Sequence, residues 1–313
     1  MEAYGPVPSR RLGRSLGINN IPAKKCTYSC VYCQLGRTLT MQVNRESFYS
    51  PDEVRQTVEE QIEDSIRESN KIDYLSFVPD GEPTLEQNLK EQIEALRPLG
   101  YKIAVISNAS LIWQDEVREA LNQADWVSLK VDAVSEKVWK GVDRPHKSLD
   151  LSRILEGALA FAEGFDGHLS TESMLIQGLN NGKEDSEKVG DFLEQLDPDS
   201  AYIAIPTRPP AEEWAKPATE EVINHWFQSF DEKLRDVEYL IGYEGNEFSF
   251  SGDVERDLLS ITSVHPMKRE GVDELLARAG ADWGVVNKLL EEEELIKTSY
   301  GEEEFFIRKL PNL

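Results

Sequence analysis

Three cysteines within eight positions constrain this chain more than any other feature of its sequence. Cys26, Cys30 and Cys33 follow the spacing C-x3-C-x2-C, and the 313 residues contain no other cysteine. An odd number of thiols does not suit a disulfide framework. A structural zinc site normally takes four nitrogen or sulfur ligands, so a zinc loop would need a distant His or Asp to complete it. A cubic iron–sulfur cluster held at three corners would leave its fourth iron open to an outside ligand.

The composition is that of a globular protein with one large core and a small appended module. Hydrophobic residues make up 40% of the chain and aromatic residues 9%. No apolar run approaches the roughly 18 residues of a membrane span. The first residues, Met1–Pro6, lack the charged-then-apolar pattern of a secretory signal. We therefore expect a cytoplasmic protein, in which thiols stay reduced and can bind metal.

The charge of the chain is unevenly distributed. Its net charge is −24, yet residues 1–40 carry six basic side chains and one acidic side chain. The basic residues could offset thiolate charge, or they could face an anionic substrate such as an RNA phosphate or a phosphorylated metabolite. The six residues are Arg10, Arg11, Arg14, Lys24, Lys25 and Arg37.

From Ser50 onward the pattern is that of alternating helices and strands. Ser50 is a good N-cap, Pro51 suits the first helical position, and an apolar stripe runs from Val54 to Ile66. Before this helix we predict an opening loop over 4–22 with one short strand, Ser15–Ile18. Strand-like runs fall at Tyr74–Val78, Ile103–Ile106, Trp126–Asp132, Leu169–Ile176, Tyr202–Ile205 and Val237–Tyr243. Helical patterns fall at about 85–97, 113–123, 148–163, 184–196 and 218–234. Such a repeat predicts a parallel sheet covered by helices, with catalytic groups at the carboxyl ends of the strands.

Small polar groups follow two of these strands. Pro79-Asp80-Gly81-Glu82-Pro83-Thr84 follows the first run, and Gly81 would let the backbone approach a ligand closely. Ser107-Asn108 follows the second run and could bond a ribose hydroxyl or cap the next helix. Both groups could also be ordinary turns and caps.

Two later strands carry a polar face, which predicts a wet interior because a parallel strand is usually apolar on both faces. Ser128, Lys130 and Asp132 share one face of the third strand. Lys130 suits a ligand carboxylate, with Asp132 holding it in place, although a buried ion pair without chemistry would give the same pattern. Ser170 and Glu172 share a face of the next strand, and Arg208 follows the one after that. We expect surface or structural roles for the four histidines.

The cysteine loop, with Tyr32 before its last cysteine, resembles the cluster loop of radical S-adenosylmethionine (SAM) enzymes. The resemblance covers residues 5 to about 250 and implies a partial (β/α)6 TIM-like barrel over residues 1–253. It implies one 4Fe–4S cluster on Cys26, Cys30 and Cys33, and a 5'-deoxyadenosyl radical produced from SAM. The same resemblance implies that the other SAM-binding residues are Tyr32, Gly81, Glu82, Pro83, Ser107, Asn108, Ser128, Lys130 and Glu172, with Lys130 and Asp132 also catalytic. Asp80 stands where the Gly-Gly-Glu motif of these enzymes has its first glycine.

The last part of the chain reads as a separate module. Helical patterns at 254–262, 271–279 and 283–293 precede two β-like runs, Leu295–Ser299 and Glu304–Ile307, which predicts a winged-helix-like domain over 254–313. These residues carry 13 acidic and 8 basic side chains, so duplex DNA is an unfavourable partner.

The opening Gly5–Gly13 is most similar to relatives of tRNA 4-demethylwyosine synthase, which has a second cluster with its own cysteines. No cysteine is left here for a second cluster, so the wyosine reaction itself is not expected and the substrate stays open. The leading expectation is a radical SAM enzyme that takes hydrogen from an unidentified substrate, with RNA or tRNA as the first candidate, and receives electrons from a ferredoxin or flavodoxin. The alternatives are a peptide- or protein-modifying enzyme, an iron–sulfur regulator with a DNA-binding winged helix, and a zinc-stabilised scaffold.

Overall fold

A computed structural model describes residues 1–242, 248, 250 and 252–309 of the chain. The strands of this part are β1 (Glu2–Ser9), β2 (Gly13–Asn19), β3 (Lys25–Cys26), β4 (Thr40–Met41), β5 (Tyr74–Phe77), β6 (Lys102–Ser107), β7 (Trp126–Lys130), β8 (His168–Met174), β9 (Ser200–Ala204), β10 (Val237–Leu240), β11 (Met267–Lys268), β12 (Leu295–Tyr300) and β13 (Glu303–Arg308).

The helices of the same part are α1 (Pro51–Arg67), α2 (Leu89–Leu96), α3 (Asp115–Leu121), α4 (Glu136–Val142), α5 (Leu151–Ala162), α6 (Lys183–Leu196), α7 (Glu220–Asp231), α8 (Val254–Val264), α9 (Arg269–Ala279) and α10 (Gly284–Glu291). Short 3-10 turns lie at Pro83–Leu85 and Arg97–Leu99. None of the described helices is long and apolar enough to cross a membrane.

The centre of the fold is one sheet of eight strands in the order β1-β2-β5-β6-β7-β8-β9-β10. Every neighbouring pair from β2 to β10 is parallel, and β1 is antiparallel to β2. Parallel strands need crossover connections, which the helices supply. The predicted α/β class with a parallel sheet and outer helices is confirmed. Tyr243, the end of the last predicted strand, lies outside the described residues.

Two local predictions were wrong. The predicted opening loop contains β1, an edge strand whose Pro6 and Pro8 are tolerated because an edge strand need not donate every N–H to a ladder. The seven-residue helix α4 was not predicted either. By contrast α1 begins as predicted: Ser50 is its N-cap, Pro51 is its first residue, and Glu53 completes a capping box with Ser50.

The inside of the barrel contains an apolar cluster to which Leu12, in the turn between β1 and β2, belongs. The buried residues of this apolar cluster are Leu12, Ala104, Trp126, Tyr202, Ala204 and Leu240. Polar side chains lie opposite each other on β7 and β8, and the cysteine loop follows the carboxyl end of β2.

The C-terminal module, residues 254–309, contains three helices and the small sheet β11-β13-β12. Its helices and hairpin follow the predicted order, and the short strand β11 joins them. Residues 310–313 of the predicted domain lie outside the described residues. Tyr4 and Val7 of β1 are buried in the same core as Leu258 and Ile261 of α8. The module is therefore packed directly against the first strand of the barrel.

Candidate active site

All three cysteines line one cavity of about 350 Å³, which extends inside the barrel as far as the β1–β2 turn. Their loop is fixed by backbone bonds to the end of α4: the amide of Val31 donates to the carbonyl of Val142 (2.9 Å). Within the described part of the chain, no three His, Cys, Asp or Glu side chains are placed to hold a single ion. A cubic iron–sulfur cluster does not need three ligands around one ion, because each thiolate binds a different iron atom.

Burial raises the pKa of all three thiols, and that of Cys26 rises to about 12. A thiolate binds metal and a neutral thiol does not, so these sulfurs lose their protons only when a cation takes the place of the proton. Binding of a metal centre by this loop would therefore release protons.

The Gly81 turn lies against the cysteine loop. The amide of Lys24 donates to the carbonyl of Asp80 (2.8 Å), and the amide of Glu82 donates to the carbonyl of Lys25 (3.2 Å). A Cβ atom on Gly81 would lie 1.9 Å from that same Lys25 carbonyl oxygen. Only glycine therefore allows this approach of the two segments.

Glu82 joins the Gly81 turn to the end of β6. Its fully buried carboxylate accepts hydrogen bonds from the hydroxyls of Thr84 (2.6 Å) and Ser107 (2.7 Å) and from the amide of Asn108 (2.8 Å). The Asn108 side chain then donates to the Thr27 hydroxyl (2.8 Å) and lies 3.6 Å from the Cys26 sulfur. The predicted motif residues meet here, and the side chain of Glu82 holds them in place.

Lys130 and Glu172 are register partners on β7 and β8 and form a buried ion pair. Glu172 also pairs with Arg11, which reaches into the barrel from the turn between β1 and β2. Burial alone would raise the pKa of Glu172, but the charges of Lys130 and Arg11 outweigh burial and lower it to about 2. The Lys130 ammonium lies 5.0 Å from the centre of the Tyr32 ring.

Asp132 lies just beyond β7, which ends at Lys130. Its carboxylate accepts from the Tyr32 hydroxyl and from the amide of Met174 (2.7 Å). Asp132 thus holds Tyr32 of the cysteine loop, whereas the sequence pattern predicted that it would hold Lys130. Lys130 pairs with Glu172 instead, because these two residues lie side by side on neighbouring strands. Pro83, Ser128 and Asp132 are not among the described residues that line the cavity, whereas the other predicted cofactor-binding residues are.

Sequence reasoning did not single out Asp143. Its buried carboxylate lies 3.4 Å from the Cys30 sulfur and is hydrogen-bonded to Asp132. Burial raises its pKa well above the usual range, and the Asp132 charge adds to this effect. The two carboxyls therefore lie in one buried network with Tyr32 and Cys30. The only local signal was the position of Asp143 in a turn, directly before Arg144-Pro145.

His265 is a second unexpected residue of the cavity, because the prediction placed the histidines in surface or structural roles. It lies directly after α8 in the C-terminal module, and its Nε2 atom accepts from the Arg208 guanidinium (2.9 Å). Arg208 also donates to the side chain of Gln34 (3.1 Å), the residue after Cys33. Burial lowers the pKa of His265 well below its usual value, so its ring is neutral. Arg208 thus connects the module with the cysteine loop.

The six basic residues predicted to gather at the cysteine loop are spread over both ends of the barrel. Lys24 and Arg37 line the cavity beside the loop, and Arg10 and Arg11 line it from the β1–β2 turn. The other two, Lys25 and Arg14, are not among the described lining residues. Lys25 pairs with Glu46 (3.3 Å), and Arg14 belongs to β2, near the end where that strand begins. The turn and the loop lie at opposite ends of β2, a separation that the predicted strand Ser15–Ile18 already implied.

Comparison with known proteins agrees with this geometry. The profile of the radical SAM superfamily matches residues 20–192. The UPF0026 protein MJ1312 of Methanocaldococcus jannaschii is 46% identical over 310 residues, which cover 98% of this chain and 96% of that protein.

Among solved structures, TYW1 with a lysine–pyruvate adduct bound has a TM-score of 0.56 at 17% identity, over 71% of this chain and 74% of that one. SuiB of Streptococcus suis bound to the precursor peptide SuiA has a TM-score of 0.54 at 15% identity, over 73% of this chain and 48% of that one. Similarity at this level of identity shows the shared fold. With the profile match over more than half of its length, the chain belongs to the radical SAM superfamily of SAM-dependent iron–sulfur enzymes.

Proposed function

We propose that this enzyme holds one 4Fe–4S cluster on Cys26, Cys30 and Cys33 and takes a hydrogen atom from an anionic substrate, with RNA as the leading class. The main support for the proposal is that one cavity is lined by the three thiols, the Gly81 turn, the end of β6 and Lys130. A bound and reduced cluster with SAM supplies the 5'-deoxyadenosyl radical. The electron would come from a donor such as ferredoxin or flavodoxin.

The described residues fit both groups. Three thiols, the preferred ligands of iron–sulfur clusters, line the cavity. Gly81 lets its turn lie directly against the cysteine loop, and the Oδ2 atom of Asp80 is buried without a hydrogen-bond partner. A bound molecule with a cationic donor would satisfy that atom.

We assign roles in binding SAM to several residues at or near the cavity. Lys130 attracts the SAM carboxylate, while Glu172 and Arg11 hold Lys130 in place. Tyr32, fixed by Asp132, offers a ring surface to the adenine. Ser107 and Asn108 lie where a ribose could bind. The buried apolar cluster inside the barrel limits the room for water, and a reactive carbon radical requires that water be excluded.

The anionic character of the substrate is inferred from the cavity wall. Six basic and three acidic side chains are among its described lining residues, in a chain of net charge −24. Positive charge in a concave site raises the local concentration of anions. The similarity of Gly5–Gly13 to relatives of a tRNA-modifying enzyme favours RNA among the possible anions.

We assign residues 1–253 to the barrel domain and 254–313 to a winged-helix-like domain that completes the cavity. The contact between His265 and Arg208 supports this role, since a residue of the module lines the same cavity as the cysteines. The acidic composition of the module argues for a packing or substrate-contact role rather than for duplex DNA binding.

The test is to measure 5'-deoxyadenosine formed by anaerobically purified enzyme with SAM, a reductant and total tRNA. We expect tRNA to raise its formation several-fold and RNase digestion of the tRNA to remove the effect. Lys24→Gln, at the cavity wall, should weaken the response to tRNA, while Lys90→Gln, whose side chain pairs with Glu119 on the surface, should not. Stimulation by a protease-sensitive fraction instead of RNA would contradict RNA as the substrate class.

A further inference from the structure

An exposed tryptophan lies beside the cysteine loop. Trp214 belongs to the segment between β9 and α7, and 49% of it is exposed. Its neighbours in the chain are held in place: the amide of Glu212 donates to the carbonyl of Val31 (3.0 Å), and the amide of Ala215 donates to the carbonyl of Glu212 (2.8 Å). Trp214 is therefore anchored to the cysteine loop, although about half of its surface faces solvent.

Two arginines meet next to this tryptophan at the Glu212 carboxylate. The buried carboxylate accepts from the Nε and Nη2 atoms of Arg37 (3.0 and 3.1 Å) and also pairs with Arg144. Hydrogen bonds from Arg37 and Arg144 lower the pKa of Glu212. The Arg144 guanidinium lies 5.8 Å from the centre of the Trp214 ring. We call Arg37, Arg144, Glu212 and Trp214 the Trp214 patch.

The two guanidiniums of the patch keep hydrogen-bond donors for a partner. Arg37 donates to Glu212 through two of its nitrogens and Arg144 through one, and a guanidinium carries further N–H groups. The two side chains are 70% and 39% exposed. Two cations around one carboxylate leave an excess of positive charge, in a chain of net charge −24. The remaining donors suit phosphate oxygens, which a planar guanidinium binds in pairs.

The patch continues from the cavity onto the surface. Arg37 lines the cavity, whereas Arg144 and Trp214 are not among its described lining residues. The backbone of Arg144 also lies against the cysteine loop, since its carbonyl accepts from the amide of Ser29 (3.3 Å). A chain-like substrate with one unit in the cavity would thus place a neighbouring unit over the patch.

An exposed indole between guanidiniums fits a nucleotide better than it fits an acidic protein. Single-stranded RNA is recognised by stacking of its unpaired bases on aromatic rings, while arginines contact its phosphates. An acidic protein would require the arginines but not the exposed ring beside them.

We propose that Trp214 stacks on a base of single-stranded RNA that neighbours the nucleotide in the cavity, while Arg37 and Arg144 bind the phosphates. This inference rests on the proposed function, since it takes RNA as the substrate class. Trp214 is then a substrate-binding residue outside the cavity.

The experiment measures dissociation constants by fluorescence anisotropy on the anaerobic, cluster-loaded enzyme. The probes are labelled decauridylate and a labelled ribose–phosphate backbone of the same length without bases. The variants are Trp214→Leu, which removes the ring, Trp214→Phe, which keeps one, and Arg144→Gln, which removes a charge and leaves Glu212 paired with Arg37.

Trp113→Leu is the matched control. Trp113 also has an arginine over its ring, because Arg153 lies 4.0 Å from the ring centre, but Trp113 is not among the described residues that line the cavity. This variant should bind both probes as the parent enzyme does.

We expect Trp214→Leu to bind decauridylate about 5- to 100-fold more weakly, as for the loss of one base–aromatic stack. Its binding of the backbone without bases should be unchanged, and Trp214→Phe should recover most of the affinity for decauridylate. Arg144→Gln should weaken binding of both probes equally and reduce the slope of log affinity against log salt by about one.

Three results would overturn the proposal. The first is unchanged binding of decauridylate by Trp214→Leu. The second is an equal loss for both probes in that variant, because the ring would then act only on the fold of the patch. The third is slower turnover of Trp214→Leu with reduced flavodoxin, but not with dithionite, at unchanged affinity for RNA. The patch would then bind an acidic redox protein.

Failure of the underlying function gives a different result. If total tRNA does not raise 5'-deoxyadenosine formation by the parent enzyme, RNA as the substrate class is refuted. If limiting tRNA raises it equally in the parent enzyme and in Trp214→Leu, only the role of the patch is refuted. Circular dichroism and iron content of each variant show whether the fold and the cluster loop are intact.

Discussion

At the scale of single residues, the buried Glu172 carboxylate pairs with two partly buried cations. Lys130 and Arg11 both pair with its carboxylate, and the three side chains are 8–19% exposed. Removing the shared carboxylate leaves two positive charges close together in a region of low dielectric constant. A buried charge that loses its partner destabilises a protein far more than an exposed one.

We therefore predict that Glu172→Gln lowers the free energy of unfolding at pH 7 by about 3 kcal/mol. The pKa of Glu172 in the folded chain, about 2, lies below the ordinary pKa of a glutamate. Its ion pairs therefore stabilise the fold fully at any pH above that ordinary pKa. This stabilisation is lost as the pH falls toward 2. Urea titrations at several pH values should show a difference between parent and variant that shrinks on acidification. A difference that grows on acidification would contradict the assignment.

Residue types and spacing predicted that the cysteines, the Gly81 turn, Ser107-Asn108 and the polar residues Lys130 and Glu172 lie at one site, because each follows or ends a strand with a clear local pattern. They did not predict which charges pair: Asp132 was expected to hold Lys130, and Glu172 pairs with it instead. Asp143 and His265 could not be predicted in this way. Asp143 contacts a cysteine 113 positions earlier, and His265 contacts Arg208 from another module. Such contacts depend on packing between elements that are distant in sequence, which local patterns do not encode.

At the scale of elements, the cysteine loop and the Gly81 turn form one unit. Backbone bonds join Lys24 and Lys25 to the turn, and Glu82 joins the turn to the end of β6. A change of shape in the turn must therefore move Lys25, the residue before the first cysteine. Iron binding should report such a movement directly.

We predict that Gly81→Ala reduces the iron content of anaerobically purified protein to less than about half, because its Cβ atom would lie 1.9 Å from the Lys25 carbonyl oxygen. It should also lower the free energy of unfolding by about 1–3 kcal/mol, as overpacking does. Gly164→Ala is the matched control, since a Cβ atom there would meet nothing within 4 Å. Full iron loading of Gly81→Ala would show that the two segments do not depend on each other.

The C-terminal module is predicted to unfold together with the barrel, because Tyr4 and Val7 of β1 belong to its core. Leu258→Ala, at a fully buried position, should lower the free energy of unfolding by about 2–5 kcal/mol in one transition. Ile296→Ala in the same module, at a position 43% exposed, should cost less than about 1 kcal/mol. Two separate transitions in calorimetry would mean that the module and the barrel are independent.

At the scale of the whole molecule, negative charge dominates outside the cavity. A chain with a net charge of −24 repels itself, and this repulsion opposes the compact state. The cavity, with its excess of basic side chains, is the exception. The contrast would direct an anion toward the cavity and away from the rest of the surface.

Salt should accordingly stabilise the fold at neutral pH. Raising the ionic strength from 0.01 to 0.15 M shortens the screening length from about 30 Å to about 8 Å. We expect the thermal midpoint to rise by about 3 °C over this range, measured by calorimetry in a non-binding salt. A midpoint that falls would mean that attractive ion pairs, and not self-repulsion, dominate the surface.

The central claim is that Cys26, Cys30 and Cys33 hold one cluster to which SAM binds. The most direct test is the iron and sulfide content of anaerobically purified protein, with electron paramagnetic resonance spectra of the reduced state recorded with and without SAM. We expect about four irons and four sulfides per chain. We also expect a spectrum that changes when SAM is added. In the variant Cys30→Ser, both the iron–sulfide content and the response to SAM should be lost. Zinc in place of iron, or a cluster whose spectrum is indifferent to SAM, would contradict it.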